Sequence, residues 1–248
     1  MDKKILCGLT VEDIFSLIEP EGFERRHALL IANAIYKKRI SSLIRLPKIP
    51  KALIQFLDGI ASSGLYSPKT SEISADKAVK YLFTSPDGKY FETVFMPGNK
   101  RNTVCVSVQS GCRMGCPFCV TGQYGFHGNL TAGDIINQIL SIPEAANVNH
   151  VVFMGMGEPM DNLQNVLQAC KILTSEWGLS ISSGNVTVST VGITPGVKSF
   201  LETSECNLAL SLFSPFAVER AGVVPVEKLY PAAEVLEIMR NYPPGKKR

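Results

Sequence analysis

Residues Thr103–Cys119 read TVCVSVQSGCRMGCPFC. The first six residues alternate in the manner of a β-strand, and the rest form a glycine-punctuated loop. That loop carries Cys112, Cys116 and Cys119, separated by three and two residues. Thiolates crowded in this way suit a metal, yet a closed zinc site takes four ligands and this loop offers three. A strand that runs directly into such a loop places the chemistry at its C-terminal end. The fold then follows from what the next segments do.

They repeat the unit. HVVFMG (150–155), NVTVST (185–190) and NLALSL (207–212) read as further strands. TAGDIINQIL, DNLQNVLQACKIL and PGVKSFLE follow the first three strands as helices, and PAAEVLEIMRNY follows the fourth after a loop. Alternation of this kind predicts parallel strands with right-handed crossovers. The fold class is therefore α/β, a partial (βα) barrel with four units. GMGEP (155–159) ends the second strand and STVGITP (189–195) ends the third, so both should share a rim with the cysteine loop.

Upstream, VKYLFT and KYFETVFM flank SPDG, which reads as a β-hairpin around a Pro-Asp-Gly turn. The first 70 or so residues look helical, with Thr10 and Asp13 forming a capping box ahead of VEDIFSLI. Leu29, Ala32, Ile35 or Tyr36, and Ile40 recur at helical spacing, and the stretch from Ser62 to Pro68 reads as a linker. The expected organisation is a helical accessory domain over residues 1–70, a β-hairpin linker over 71–100 and an incomplete barrel core over 101–248.

The totals constrain the class of protein. Of 248 residues, 45% are hydrophobic and 19% charged, as in ordinary globular chains. No apolar run approaches the roughly 18 residues of a membrane span, and MDKKILCGLTVEDIF makes a poor signal peptide. A cytoplasmic protein, monomeric by default, is the expectation. Seven cysteines in that reducing setting favour metal ligation over disulfides. Between Arg25 and Lys51 there are eight Lys and Arg and no Asp or Glu, against a net charge of +3 for the whole chain. A basic segment ahead of a net acidic remainder suits a nucleic-acid partner, or simply a solvated helical surface.

Three thiolates can anchor three corners of a [4Fe–4S] cube and leave one iron open. S-adenosyl-L-methionine offers the amine and carboxylate to chelate that iron, and an electron from the cluster would cleave it to a 5′-deoxyadenosyl radical. Phe118 is placed to supply an apolar face against the adenine. A zinc knuckle completed by a distant cysteine or by His127 is the alternative, although there is no second CxxC pair. In GMGEP, glycines would admit a ligand close to the backbone, and Glu158 could accept hydrogen bonds from the cofactor's ammonium group.

These motifs, CVSVQSGCRMGCPFCVTGQYGF, VVFMGMGEPMDNL, VTVSTVGITP and LALSL in that order, resemble the radical S-adenosylmethionine methyltransferases of ribosomal RNA. Such enzymes methylate C2 of an adenosine, in some members also in tRNA, and a sister group modifies C8. The resemblance runs from about Leu9 to the last residue. It implies that Cys112, Cys116 and Cys119 hold the cluster and that Gly157 and Glu158 meet the methionine end of the cofactor. It further implies that Ser189 and the Ser211-Leu212-Phe213 stretch line the rest of the cofactor site, and that an electron donor serves the cluster. Glu92, in FETVFMP, matches the family's proton acceptor; it sits in an apolar strand, where burial would raise its pKa, or, since alternation sets it opposite Phe91, it is simply a strand residue facing solvent. Two departures stand out. Phe213 replaces the family's usual histidine, and the family continues beyond PPGKKR into strands that carry a cofactor-binding asparagine and a methyl-carrying cysteine. Cys7, Cys105, Cys170 and Cys206 are expected in packing roles, not as substitutes for that cysteine. A shortened, inactive member, a radical enzyme with another substrate and a metal-containing RNA-binding remnant are the remaining readings.

Overall fold

Seven strands lie side by side in the order in which the chain makes them. They are β1 (Thr70–Ile73), β2 (Val79–Thr84), β3 (Tyr90–Met96), β4 (Thr103–Cys105), β5 (His150–Phe153), β6 (Val186–Thr190) and β7 (Asn207–Leu210). The structure is a computed structural model that describes residues 3–242. Strands β4 to β7 run parallel, with Val104 opposite Val151, Val151 opposite Val186 and Val188 opposite Leu208. Strands β1 to β4 run antiparallel to one another. The four βα units and the SPDG hairpin are thus where the alternation placed them. Strand β1 is an addition: its residues TSEI are all exposed, so no burial pattern announced it.

Helices α4 (Ala132–Leu140), α5 (Leu163–Thr174), α6 (Thr194–Thr203) and α7 (Ala232–Asn241) follow the parallel strands. Every residue of α4 is buried, its polar ones included. The reason is a second layer outside it. The Tyr66 hydroxyl donates to Asp134 at 2.7 Å, and Tyr66 and Asn137 exchange two hydrogen bonds through backbone and amide. Gln138 is satisfied from the sheet side by Thr93 and by the backbone of Ser107. Buried polar groups matched in this way cost little and fix one register.

That outer layer is built by α1 (Val11–Ile18), α2 (Arg25–Tyr36) and α3 (Lys51–Ile60). Thr10 and Asp13 form the expected capping box. Ala32, Ile35 and Tyr36 face inward as their spacing suggested, whereas Leu29 is exposed and Ala28 and Ile31 take the inner positions. Ala61–Ser62 pairs in parallel with Lys4–Ile5, and Ser63 is buried with its hydroxyl on the Ser41 carbonyl, so the stretch read as a linker is fastened down. One apolar cluster continues from Leu6 and Ile31 through Phe83 to Val151, Val188 and Val235. Among the described residues, no helix is long and apolar enough to cross a membrane.

Gly8 packs directly on Gly133 between the layers. A Cβ at Gly8 would lie 2.3 Å from the Gly133 nitrogen, and Gly8 has φ +96°. Gly8→Ala therefore combines a left-handed strain with a backbone collision, and should destabilise the chain by about 3 kcal/mol in urea unfolding. Gly22→Ala, at a positive φ but with open space around it, should cost about 1 kcal/mol.

Candidate active site at the strand ends

Beyond β4 the chain forms a small hairpin, Gln109–Gly111 against Phe126–Asn129, which staples the cysteine loop at its base. Gly111 has φ +76°, and a Cβ there would sit 1.7 Å from the Gly125 carbonyl oxygen. The Cys112 N–H donates to that same oxygen at 2.9 Å. The loop thus leaves and re-enters the fold at one point. Inside it, Cys119 N–H bonds the Cys116 carbonyl, and a short helix, Val120–Gln123, starts directly after Cys119.

Cys116 is buried, while Cys112 and Cys119 are half-buried. Burial pushes the Cys112 thiol up to about 11, with the charges of Glu158, Cys119 and Cys116 adding to the shift. Burial, Cys119 and Glu158 likewise raise Cys116. The three thiols are therefore near enough to feel one another, although no group of three His, Cys, Asp or Glu converges on a metal position among the described residues. The donor set fits a cationic centre: neighbouring thiolates repel until positive charge lies between them. His127 points away from this role, its Nε2 hydrogen-bonded to the Tyr124 carbonyl at 2.8 Å.

GMGEP docks on the extension of β4. Gly155 N–H bonds the Val106 carbonyl, and Met156 N–H bonds the Ser107 hydroxyl. Gly155 and Gly157 are needed for contact with the chain itself, since added Cβ atoms would lie within 2.9 Å of the Ser107 and Gln109 backbone nitrogens. Glu158 is 3% exposed. Its carboxylate accepts from the Thr190 hydroxyl at 2.5 Å, from Val191 N–H at 3.0 Å and from Met160 N–H at 3.0 Å. Expected to meet a ligand's ammonium group, it here braces the end of β5 against the end of β6. Burial raises its pKa against the pull of those three donors.

The other predicted positions gather around the same rim. The Ser189 and Ser211 hydroxyls lie 3.1 Å apart. Phe118 and Phe213 pack with ring centroids 4.6 Å apart, both half-exposed, and Phe213 takes φ +60°. Leu212 offers its carbonyl to Arg220. Glu92 lies on the opposite face of β3 from buried Phe91, and the burial expected of it is absent: its side chain is 44% exposed and pairs with Lys80 at 3.2 Å. It lines a cleft of about 800 Å³ together with Lys89, Gly111, Tyr124, His127 and Met156. Ser107 ties this wall to the rim, because its hydroxyl donates to the Glu92 carbonyl while accepting from Met156.

Sequence reasoning missed Thr190, which fixes Glu158, and the Gln109–Asp161–Arg113 chain of hydrogen bonds beneath the loop. It also missed the buried Arg220–Glu227 pair. The charges of Glu219, Arg220, Glu227 and Lys228 within the otherwise apolar FAVERAGVVPVEK were the available signal.

Parallel strands carrying a three-cysteine loop, a glycine-acid loop and a serine pair on one rim define a radical-enzyme barrel. The sequence profile of the Radical SAM superfamily matches residues 106–243. A probable dual-specificity RNA methyltransferase RlmN of Parabacteroides distasonis is 42% identical over 98% of this chain and 71% of its own length. The dual-specificity RNA methyltransferase RlmN of Geobacter sulfurreducens is 36% identical over the whole chain and 69% of its own. The crystal structure of a radical SAM methyltransferase from Sphaerobacter thermophilus superposes with a TM-score of 0.88 at 32% identity, covering 96% of this chain and 72% of that one. The chain belongs to the radical SAM superfamily and, within it, to the RlmN family.

The Glu158 brace makes a pH prediction. Its folded pKa lies above the ordinary value of 4.5. Just above pH 4.5 the folded state holds a proton that the unfolded chain has released, so this group makes stability fall as pH rises through that window. Glu158→Gln should flatten that slope in denaturant melts at mildly acidic pH. It should also lower stability by about 2 kcal/mol at pH 7, because an amide cannot serve all three donors.

Proposed function

We propose that this chain is an S-adenosylmethionine-dependent radical methyltransferase of RNA, acting at C2 of an adenosine in ribosomal RNA and in tRNA. The observation that carries the reading is the stapled loop, which presents Cys112, Cys116 and Cys119 beside the Glu158 brace on the strand-end rim. Those three cysteines would hold a [4Fe–4S] cluster. When bound, the cluster and its S-adenosylmethionine supply a reducing electron and a carbon radical.

The chain's own residues do the rest. Gly157 and Glu158 shape the loop that receives the methionine end. Glu158 acts through the backbone it fixes, since its carboxylate is already engaged. Ser189, Ser211, Leu212 and Phe213 line the nucleoside end, and the Phe118–Phe213 pair supplies the apolar face for adenine. Glu92 faces the 800 Å³ cleft and is the proton acceptor, its carboxylate paired with Lys80 at 3.2 Å. The electron donor is a soluble cytoplasmic partner, and the protein works as a monomer.

RNA docks on the basic outer layer. Lys37, Lys38, Arg39, Arg45, Lys48 and Lys51 are all exposed, and among the described residues only Arg25 and Arg26 of that segment form ion pairs. The other four cysteines are taken up in packing: Cys7, Cys170 and Cys206 are buried in the core and Cys105 lies within β4.

Two experiments test this reading. Anaerobic reconstitution of the 248-residue chain with iron and sulfide should give about four irons per chain and reductive cleavage of S-adenosylmethionine. Cys116→Ala should lose both; a colourless, iron-free wild type refutes the assignment. RNA affinity should fall steeply with salt, by about tenfold or more between 50 and 200 mM. Charge reversal of Lys37, Lys38 and Arg39 should weaken binding and shallow that slope; an affinity indifferent to salt removes the docking surface from the reading.

A further inference from the structure

Beyond the last rungs of the sheet, β6 and β7 diverge. Ser211 N–H bonds the Thr190 carbonyl at 2.8 Å, after which the Val191, Ser211 and Leu212 carbonyls have no strand partner. One buried side chain serves all three. Arg220, 1% exposed and delivered by the short helix Ala217–Val223, donates from Nε to Leu212 at 3.0 Å. Its Nη2 donates to Val191 at 2.5 Å and to Ser211 at 3.2 Å. The remaining nitrogen, Nη1, pairs with Glu227, which is 6% exposed and also accepts from Ala232 N–H at the start of α7 at 2.9 Å.

The rigid fork of a guanidinium is what lets one residue reach carbonyls on two strands; an ammonium is a point donor and cannot. Without it the half-buried Val191 and Ser211 carbonyls would lose this donor and Leu212 would keep only the Ser214 N–H at 2.7 Å, so the segment would lose what holds its two ends together. The residues thus fixed are Ser211 and Leu212, followed by Phe213 in its left-handed turn on Phe118. Arg220 is too buried to touch a ligand.

Building on the cofactor reading above, we infer that Arg220 is a positioning residue for the nucleoside half of the S-adenosylmethionine site, clamping the Ser211–Phe213 segment with Glu227 as its anchor. The methionine half is shaped by the Gly157–Glu158 loop, and Arg220 reaches it indirectly, through Val191, whose carbonyl it holds and whose N–H serves Glu158.

That division supplies the test. Reconstituted wild type, Arg220→Lys and Glu227→Gln are titrated with S-adenosylmethionine and with 5′-deoxyadenosine by equilibrium dialysis. L-methionine is followed separately by the change it causes in the electron paramagnetic resonance spectrum of the reduced cluster. Arg220→Lys should weaken both nucleoside ligands by about tenfold, the loss expected of a charge-assisted hydrogen bond, while iron content and the methionine-induced change stay at wild-type values. Glu227→Gln should show a smaller loss with the same division, and it decides the matter if Arg220→Lys fails to fold. Equal weakening of nucleoside and methionine ligands, or no weakening of either, overturns the positioning role. A cluster-loaded wild type that binds no S-adenosylmethionine overturns the cofactor reading and this role together.

Discussion

The rim depends on one buried carboxylate. Parallel strands deliver their loops to the same end, but nothing in a sheet ladder holds those loops against one another once the hydrogen bonds stop. Glu158 does so by accepting from its own turn and from two groups at the end of β6. The GMGEP loop that it anchors is pressed onto the extension of β4 through Gly155 and Gly157. The cysteine loop stands on that same extension. Three consecutive strand ends therefore move as one body, with Ser107 joining the Glu92 wall to it.

The strand-forming half of this arrangement was visible in the sequence. Alternation in VKYLFT and VTVST, the SPDG turn and the Thr10–Asp13 cap each reflect local chemistry that tertiary contacts did not override. What stayed hidden was set by partners distant in the chain. The strand at Thr70–Ile73 has no apolar face and exists through its ladder with β2. Asp134, Asn137 and Gln138, the polar residues of the helix TAGDIINQIL, are covered by Tyr66 and Thr93. The hairpin under the cysteine loop joins strands of three and four residues and is specified by glycine contacts, which leave no periodicity.

The site shows the same division. The cysteines and the acid of GMGEP were found by spacing and by their place after strands, because chemistry restricts which residues can ligate or brace. Spacing did not show that Glu158 is enclosed by three protein donors, and for Glu92 alternation gave the solvent-facing side of the strand but not what stands across from it. Lys80 is what stands opposite Glu92, two strand positions removed across the ladder. Arg220 and Glu227 stood among four charges of an apolar segment, with no periodicity to mark which two are buried.

Because the order of strands across the sheet is the order along the chain, each new strand is laid onto one already finished. Within this sheet, assembly can then proceed vectorially, as the polypeptide leaves the ribosome, each strand finding the neighbour on its N-terminal side already made. The growing edge is always the most recently translated strand, so the sticky surface at each stage is brief and a few residues long.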